Sequence, residues 1–149
     1  VHAPALDKTY AGIVGQGARR SRNGAGAGRI TVRTAPKTGV IVVASRRHGD
    51  PKKIEKLLQG RRVSETRNAG SSLKFCLVAE GDADLYPRFG PTSCWDIAAA
   101  HAVVSAAGGL VLDPEGKTLD YDLVNDVLNP HFLVAADDRW TNDWVKSNY

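Results

Sequence analysis

Asp96 follows Trp95 at the head of a run of small and apolar residues, Ile97 to Ala107, that Gly108 and Gly109 close. A carboxylate in the first turn of a helix is favoured by the helix dipole, so capping is one role open to it. The other is a ligand to magnesium, which takes hard oxygen donors and is often held by one or two carboxylates with water and substrate phosphate. Ser71, Ser72 and Lys74 follow Gly70 where another helix is expected to begin. Hydroxyls and free backbone N–H groups at such a start make an anion site, and Lys74 adds charge one turn in. An ordinary N-cap beside a surface lysine is the alternative. Tyr86-Pro87-Arg88-Phe89 flanks a guanidinium with aromatic rings, where it can pair with phosphate or stack on a base. An exposed arginine on an edge strand reads equally well.

His48 ends a polar cluster, Ser45 to His48, just past a buried apolar strand. Ligands of α/β folds commonly sit there, although a lone loop histidine also serves structure or faces solvent. Asp113-Pro114-Glu115-Gly116 imitates the opening of a metal loop, but Glu115 and Lys117 break the pattern and a turn is expected. Cys76 and Cys94 stand 18 apart with no Cys or His spacing of a metal site around them. They read as buried free thiols in a reducing compartment. No Ser, His and Asp arrangement suggests a nucleophile.

The elements that must position these residues are legible in outline. Residues 8–14 and 29–34 read as strands, the second by its alternation of polar and apolar side chains. Gly15 to Gly28, rich in Gly and Arg, reads as a flexible hairpin connection. It lacks the Gly-Lys-Ser/Thr ending of a phosphate loop, and a strand rather than a helix follows it. Pro36 to Gly39 marks a turn, and residues 40–44 a central strand buried on both faces. Asp50 and Pro51 open a helix as N-cap and first residue, Ile54, Leu57 and Leu58 form its apolar stripe, and Gly60 stops it. Residues 61–66 suggest a strand, and residues 73–78 a short helix. Residues 83–89 suggest a strand that Pro87 should confine to an edge or a bulge. The helix from Trp95 is apolar on most sides and should lie between layers. Short strands at 110–112 and 132–136 follow, then a terminal helix capped by Asp138 or Thr141 with Trp140 and Trp144 one turn apart.

The 149 residues suffice for a packed core, and no apolar run approaches the ~20 residues that cross a bilayer. Charge is divided unevenly. Residues 1–74 hold 16 Lys/Arg against 4 Asp/Glu, and residues 75–149 hold 4 against 12. This asymmetry suggests an anionic partner for the first half, or else a solvated basic face. The chain begins at Val1 and contains no Met. A fragment of a longer protein is the expectation.

Gly70 to Asp96, above all Ser71-Ser72-Leu73-Lys74-Phe75-Cys76 and Leu85-Tyr86-Pro87-Arg88-Phe89, resembles the bacterial CysQ-type bisphosphate nucleotidases. Trp95-Asp96 and the helix closing at Gly108-Gly109 resemble the second signature of the inositol-monophosphatase superfamily. The likeness runs from His2 to Phe132. It implies the carboxyl-terminal half of a layered αβαβα fold: a mixed sheet with helices on both faces, preceded by a β-hairpin remnant of the amino-terminal domain. Residues 1–37 would end the amino-terminal sheet domain, and residues 38–149 would form the carboxyl-terminal α/β domain. The implied reaction is removal of the 3'-phosphate of adenosine 3',5'-bisphosphate, with Mg2+ as cofactor, inhibition by Li+, and a cytoplasmic location or one peripheral to the inner membrane.

By the same resemblance Asp96 is a metal ligand, and His48, Ser71, Lys74 and Arg88 contact the substrate. The implied partners are the nucleotide bisphosphate, the missing amino-terminal domain and a second copy of the chain; no stable nucleic-acid partner is expected. Two departures are local: Ala100 stands where the family has Gly, and Arg47 where it has a small Ser. A third is larger. The family's Asp-Pro-Ile/Leu-Asp-Gly-Thr metal loop and Gly-Glu-Glu motif are absent, so the chain alone should be inactive. The rival readings are an inositol-phosphate or fructose-bisphosphate phosphatase, a non-catalytic nucleotide- or RNA-binding module, and a bare structural domain.

Overall fold

The computed structural model describes residues 1–44, 50–70, 72–124 and 126–149. The chain opens with β1 (His2–Ala3), a 3-10 turn, β2 (Lys8–Ile13), β3 (Gly17–Arg22) and β4 (Gly28–Ile30). These form an antiparallel sheet in the order β1-β2-β3-β4. The segment from Gly15 to Gly28 is therefore no mere connection. A tight turn at Val14 to Gln16 returns the chain into β3, which pairs with β2 from Ile13↔Gly17 to Lys8↔Arg22. The strand expected at 29–34 ends at Ile30, and Val32 instead donates its N–H to the Ala107 carbonyl.

Next come β5 (Val40–Ala44), α1 (Pro51–Leu58), β6 (Val63–Asn68), α2 (Leu73–Ala79), β7 (Leu85–Arg88), β8 (Thr92–Ser93) and α3 (Cys94–Ala106). β9 (Leu110–Leu112), β10 (Leu128–Asn129), β11 (Phe132–Ala135) and α4 (Thr141–Asn148) complete the chain. A five-stranded mixed sheet has the order β6-β5-β7-β11-β9. β5 is parallel to β6 and β7, and β11 is antiparallel to β7 and β9. A small ladder joins β8 to β10.

Local sequence accounts for much of this. Asp50 accepts hydrogen bonds from Lys52 N and Lys53 N, and Pro51 takes the first helical position, where its missing N–H costs nothing. β5 carries β-branched residues to the sheet's centre, with Val42 and Val43 fully buried. Pro87 was expected to mark an edge, yet β7 lies mid-sheet between β5 and β11. The strand tolerates it because the described pairing of β7 with β5 is confined to Val42↔Leu85, two residues before the proline. Before α4, Asp137 rather than Asp138 or Thr141 caps a 3-10 turn at Asp138–Trp140, and α4 continues from that turn.

Helices cover both faces of the large sheet. On one face Val43, Tyr86, Phe132 and Val134 pack with Phe75, Val78, Ile97, Val103 and Val104 of α2 and α3, and the same cluster reaches Tyr10 and Ala18 of the first sheet. On the other face Val42, Leu85, Leu133 and Ala135 pack with Leu57 of α1 and with Trp140 and Trp144. The order is thus sheet, helices, sheet, helices. As its apolar surround requires, α3 runs between two layers. Gly12 permits its approach to β2: a Cβ there would lie 2.8 Å from Ala106 Cβ and 3.0 Å from Val103 Cα. Cys76 and Cys94 are buried free thiols, and burial pushes the Cys76 thiol up to about 12. Among the described residues no helix is long and apolar enough to cross a membrane.

Candidate active site

Lys74 sits in the first turn of α2 and is only 3% exposed, so the surface lysine of the simpler reading is in fact buried. Its Nζ donates to the Ala69 carbonyl at 3.2 Å and lies 5.0 Å from the centre of the Tyr86 ring. Burial, and then the nearby Arg88 charge, push its ammonium down to about 8. Among the described residues one carbonyl is its hydrogen-bond partner, which compensates a buried cation poorly, and an anion is the group that would compensate it. Tyr86 is fixed by Phe75 and Phe132, whose ring centres stand 5.6 Å and 5.7 Å from its own. Burial raises the Tyr86 phenol, and the Arg88 charge opposes that rise.

Arg88 lies two residues beyond Tyr86, on the same face of β7. Its Nε donates to the Gly90 carbonyl at 3.2 Å and its Nη2 to the Pro91 carbonyl at 3.0 Å. The guanidinium therefore shapes the turn between β7 and β8. It also acts on the Tyr86 phenol through its charge and a hydrogen bond, and the simple exposed arginine is excluded.

That turn delivers Asp96. Ser93 is the N-cap of α3 and Asp96 its third residue. Each side chain accepts from the other's backbone N–H in a capping box, with Asp96 Oδ2 at 2.9 Å from Ser93 N. Asp96 is exposed, and the capping bond is made by Oδ2. β10 braces this start: Asn129 Nδ2 donates to Thr92 Oγ1 at 2.9 Å, and the Val127 carbonyl accepts from Cys94 N. Trp95 is 70% exposed beside it, and Leu123, Val124 and Leu128 are also exposed.

The structure thus joins Lys74 to Arg88 around Tyr86, and joins Arg88 to the turn before Asp96. His48 and Ser71 lie outside the described residues. Sequence reasoning passed over Tyr86 as a packing partner of the lysine, although its position beside Pro87-Arg88 was in view. It also passed over His101, which is buried on α3 with Nδ1 2.8 Å from Tyr121 Oη and a proton affinity lowered by burial. No periodicity links residues twenty apart.

Magnesium fits these residues only in part. Asp96 offers a hard, solvent-facing oxygen of the right kind. Among the described residues, no group of three or more His, Cys, Asp or Glu could hold a metal ion. Asp84, the nearest acid in β7's approach, is fully buried, with both oxygens taken by Arg33 at 2.9 Å and 2.8 Å and with Ile41 N at 2.7 Å. The described residues therefore offer one exposed carboxylate here and no complete metal site.

Comparison with known proteins agrees in family and in fold. The model of the inositol monophosphatase family matches residues 1–146. The 3'(2'),5'-bisphosphate nucleotidase CysQ of Escherichia coli K12 is 47% identical over 141 residues, which cover 91% of this chain and 53% of that protein. The crystal structure of CysQ from Bacteroides thetaiotaomicron, at 35% identity, superposes with a TM-score of 0.77 over 91% of this chain and 56% of that one. An inositol monophosphatase from Anabaena, at 21% identity, shares the fold with a TM-score of 0.72 over 98% of this chain and 57% of its own. The chain spans about half the length of the curated relatives it matches.

Proposed function

The chain belongs to the inositol monophosphatase family, and on that premise we propose that it is the carboxyl-terminal portion of a magnesium-dependent 3'(2'),5'-bisphosphate nucleotidase. The observation that carries the reading is the pair of cations, buried Lys74 and carbonyl-bound Arg88, set around Tyr86 and leading into an exposed Asp96. Lys74 and Arg88, with His48 and Ser71, bind the phosphates and nucleoside of adenosine 3',5'-bisphosphate. Asp96 contributes one carboxylate to magnesium. When bound, that metal activates water and stabilises charge on the transferring phosphoryl group, and the products are AMP and phosphate.

The remaining ligands come from an amino-terminal portion such as the longer relatives possess, and residues 1–37 are the end of that domain's sheet. Exposed Trp95, Leu123, Val124 and Leu128 offer apolar surface around the start of α3 for such a partner. Alone, the chain has negligible turnover, because one carboxylate does not hold magnesium against water. The non-catalytic RNA-binding reading loses ground, because Lys8, Arg20, Arg33, Arg61 and Arg67 of the basic half are engaged in pairs within the chain.

Co-expression with the amino-terminal portion of the Escherichia coli relative tests the reading. Magnesium-dependent release of phosphate from adenosine 3',5'-bisphosphate is expected, in preference to inositol monophosphate and fructose 1,6-bisphosphate, and Asp96→Ala abolishes it. Equal or better turnover of the non-nucleotide substrates overturns the nucleotidase assignment. Turnover by the isolated chain near that of the reconstituted pair overturns its dependence on a partner.

A further inference from the structure

A second basic cleft opens at the other end of β5. It is about 380 Å³ in volume and lies between the Ala35 to Val40 segment, Gly60 to Arg62, and Arg139 with Trp140. Because β5 and β7 are parallel and in register at Val42↔Leu85, Gly39 lies three residues behind that level and Arg88 three residues ahead. At ~3.3 Å per strand residue the cleft is about 20 Å from the Arg88 end of the sheet. It is a separate place from the candidate active site.

Four cations line it: Lys37, Arg61, Arg62 and Arg139. Two are neutralised within the chain. Arg61 pairs with Asp143 at 2.6 Å and lies 5.1 Å from the Trp140 ring centre, and Arg139 pairs with Asp137 at 2.6 Å. Lys37 and Arg62 have no ion pair among the described residues. The cleft therefore carries an excess of positive charge that the fold does not use.

A second observation is independent of charge counting. Trp140 forms part of the wall and is 2% exposed, and its indole Nε1–H is buried with no acceptor among the described residues. A buried N–H left without an acceptor is uncommon, because it costs free energy comparable to a lost hydrogen bond. Trp144, one helical turn on, satisfies the same atom with the Asp113 carbonyl at 2.6 Å. Two cations without an ion pair line one concavity, and the residue that carries the orphan donor belongs to its wall; an acceptor-rich anion from outside the chain, together with any water it holds, would answer that unpaired charge.

We propose that this cleft binds a small phosphorylated metabolite. Phosphate is favoured over carboxylate because the charge comes from separate points on the wall, and a phosphoryl group offers three acceptor oxygens to the two cations without an ion pair, Lys37 and Arg62. The volume suits a metabolite-sized molecule rather than a polymer. At the edge of the cleft Gly39, at φ 135°, brings the start of β5 so close to β6 that a Cβ would lie 2.9 Å from Ser64 N and 3.0 Å from Arg62 O.

The test uses the ¹⁵N-labelled chain, whose three tryptophans give three indole N–H signals, titrated with inorganic phosphate and with adenosine 5'-monophosphate. The Trp140 indole signal and the amides of Gly39 and Gly60 are expected to shift saturably. The exposed double variant Lys37→Ala/Arg62→Ala should weaken that response by about tenfold or more. Unmoved signals at all three positions overturn the proposal, as does a response unchanged by the double variant. Sedimentation with anionic vesicles that the double variant abolishes, without any shift by the free compounds, assigns the charge to a membrane surface and overturns it equally.

Discussion

Glu80 closes α2 at the end opposite Lys74, and its substitution should loosen the hold of the first sheet on the rest of the molecule. Its side chain is 1% exposed and accepts from Arg20 at 2.6 Å, Tyr10 at 3.0 Å and Lys8 at 3.2 Å. Burial raises its carboxyl, but the hydrogen bonds from Arg20 and Tyr10 and the charge of Lys8 outweigh that and hold it below the usual range. Breaking a fully buried ion pair costs ~3–5 kcal/mol. Here Arg20 is 39% exposed and can rehydrate, so its share is near that of a surface pair, ~0–1 kcal/mol. Tyr10 cannot rehydrate, since it is 1% exposed, and an unsatisfied hydroxyl costs ~1–3 kcal/mol. Lys8, at 16% exposed, adds a further fraction. Glu80→Ala should therefore cost about 2–4 kcal/mol, and Glu80→Gln, which keeps an acceptor for Tyr10, about 1–2 kcal/mol. Urea unfolding followed by tryptophan fluorescence should show Glu80→Ala lowering the midpoint by about 1–2 M with the slope unchanged. The sign with pH follows. The unfolded carboxylate binds protons near 4.5 and the folded one lower, so this stabilisation is complete above that range and fades as pH falls through the folded value. A cost below ~1 kcal/mol for Glu80→Ala, or an equal cost for Arg20→Met, refutes the reasoning.

Two further outcomes follow from the same geometry. Affinity for adenosine 3',5'-bisphosphate, measured by calorimetry, should fall as pH rises through about 8, where Lys74 loses its proton, and Lys74→Met should remove that dependence. Stability should run the other way, rising from about 8 towards 10.5, because the unfolded lysine holds its proton longer than the buried one. Gly12→Ala would press a methyl against the α3 backbone at Val103 and should destabilise the chain by ~1–3 kcal/mol in the same urea assay. A loss no larger than that of Gly26→Ala, where nothing lies within 4 Å, would show that β2 and α3 can part freely.

What could be read from sequence was read where the signal was local. Asp50-Pro51 is a start that needs no tertiary context, and the five residues of β5 have too much β-branched, apolar character for another place. β3 was missed because only Ala18 of its six residues is fully buried, so no alternation of hydrophobicity announces it. It is held by its ladder to β2 and by the Arg20 link to Glu80, sixty residues away. Pro87 misled for the opposite reason: the residue rule was right, but the end of the described β5 pairing lies two residues before it. The site residues were raised as candidates from residue type and position, and family resemblance then joined them into one site. What neither could supply was the burial of Lys74 beneath Tyr86, or the use of Arg88 to hold two carbonyls, since both depend on contacts across elements.

The charge division between the two halves takes on a different meaning in the folded chain. It first suggested an external anion, yet Lys8 and Arg20 meet Glu80, Arg33 meets Asp84, and Arg61 meets Asp143, so each of these pairs joins the basic half to the acidic one. Part of the asymmetry is thus complementarity within the molecule. Three of these pairs have an almost wholly buried carboxylate partner, which salt screens far less than an exposed pair. Among the described residues, cations without an ion pair include Lys74 and Arg88 at one end of the large sheet and Lys37 and Arg62 at the other, while Arg22 and Arg29 line a cleft of the first sheet and Lys52 and Lys56 lie on α1. An anion that occupies either end of the large sheet should therefore be distinguishable from one held loosely by the scattered cations. Its binding should saturate at low stoichiometry and respond to single substitutions, which an evenly spread charge of +12 over residues 1–74 would not do.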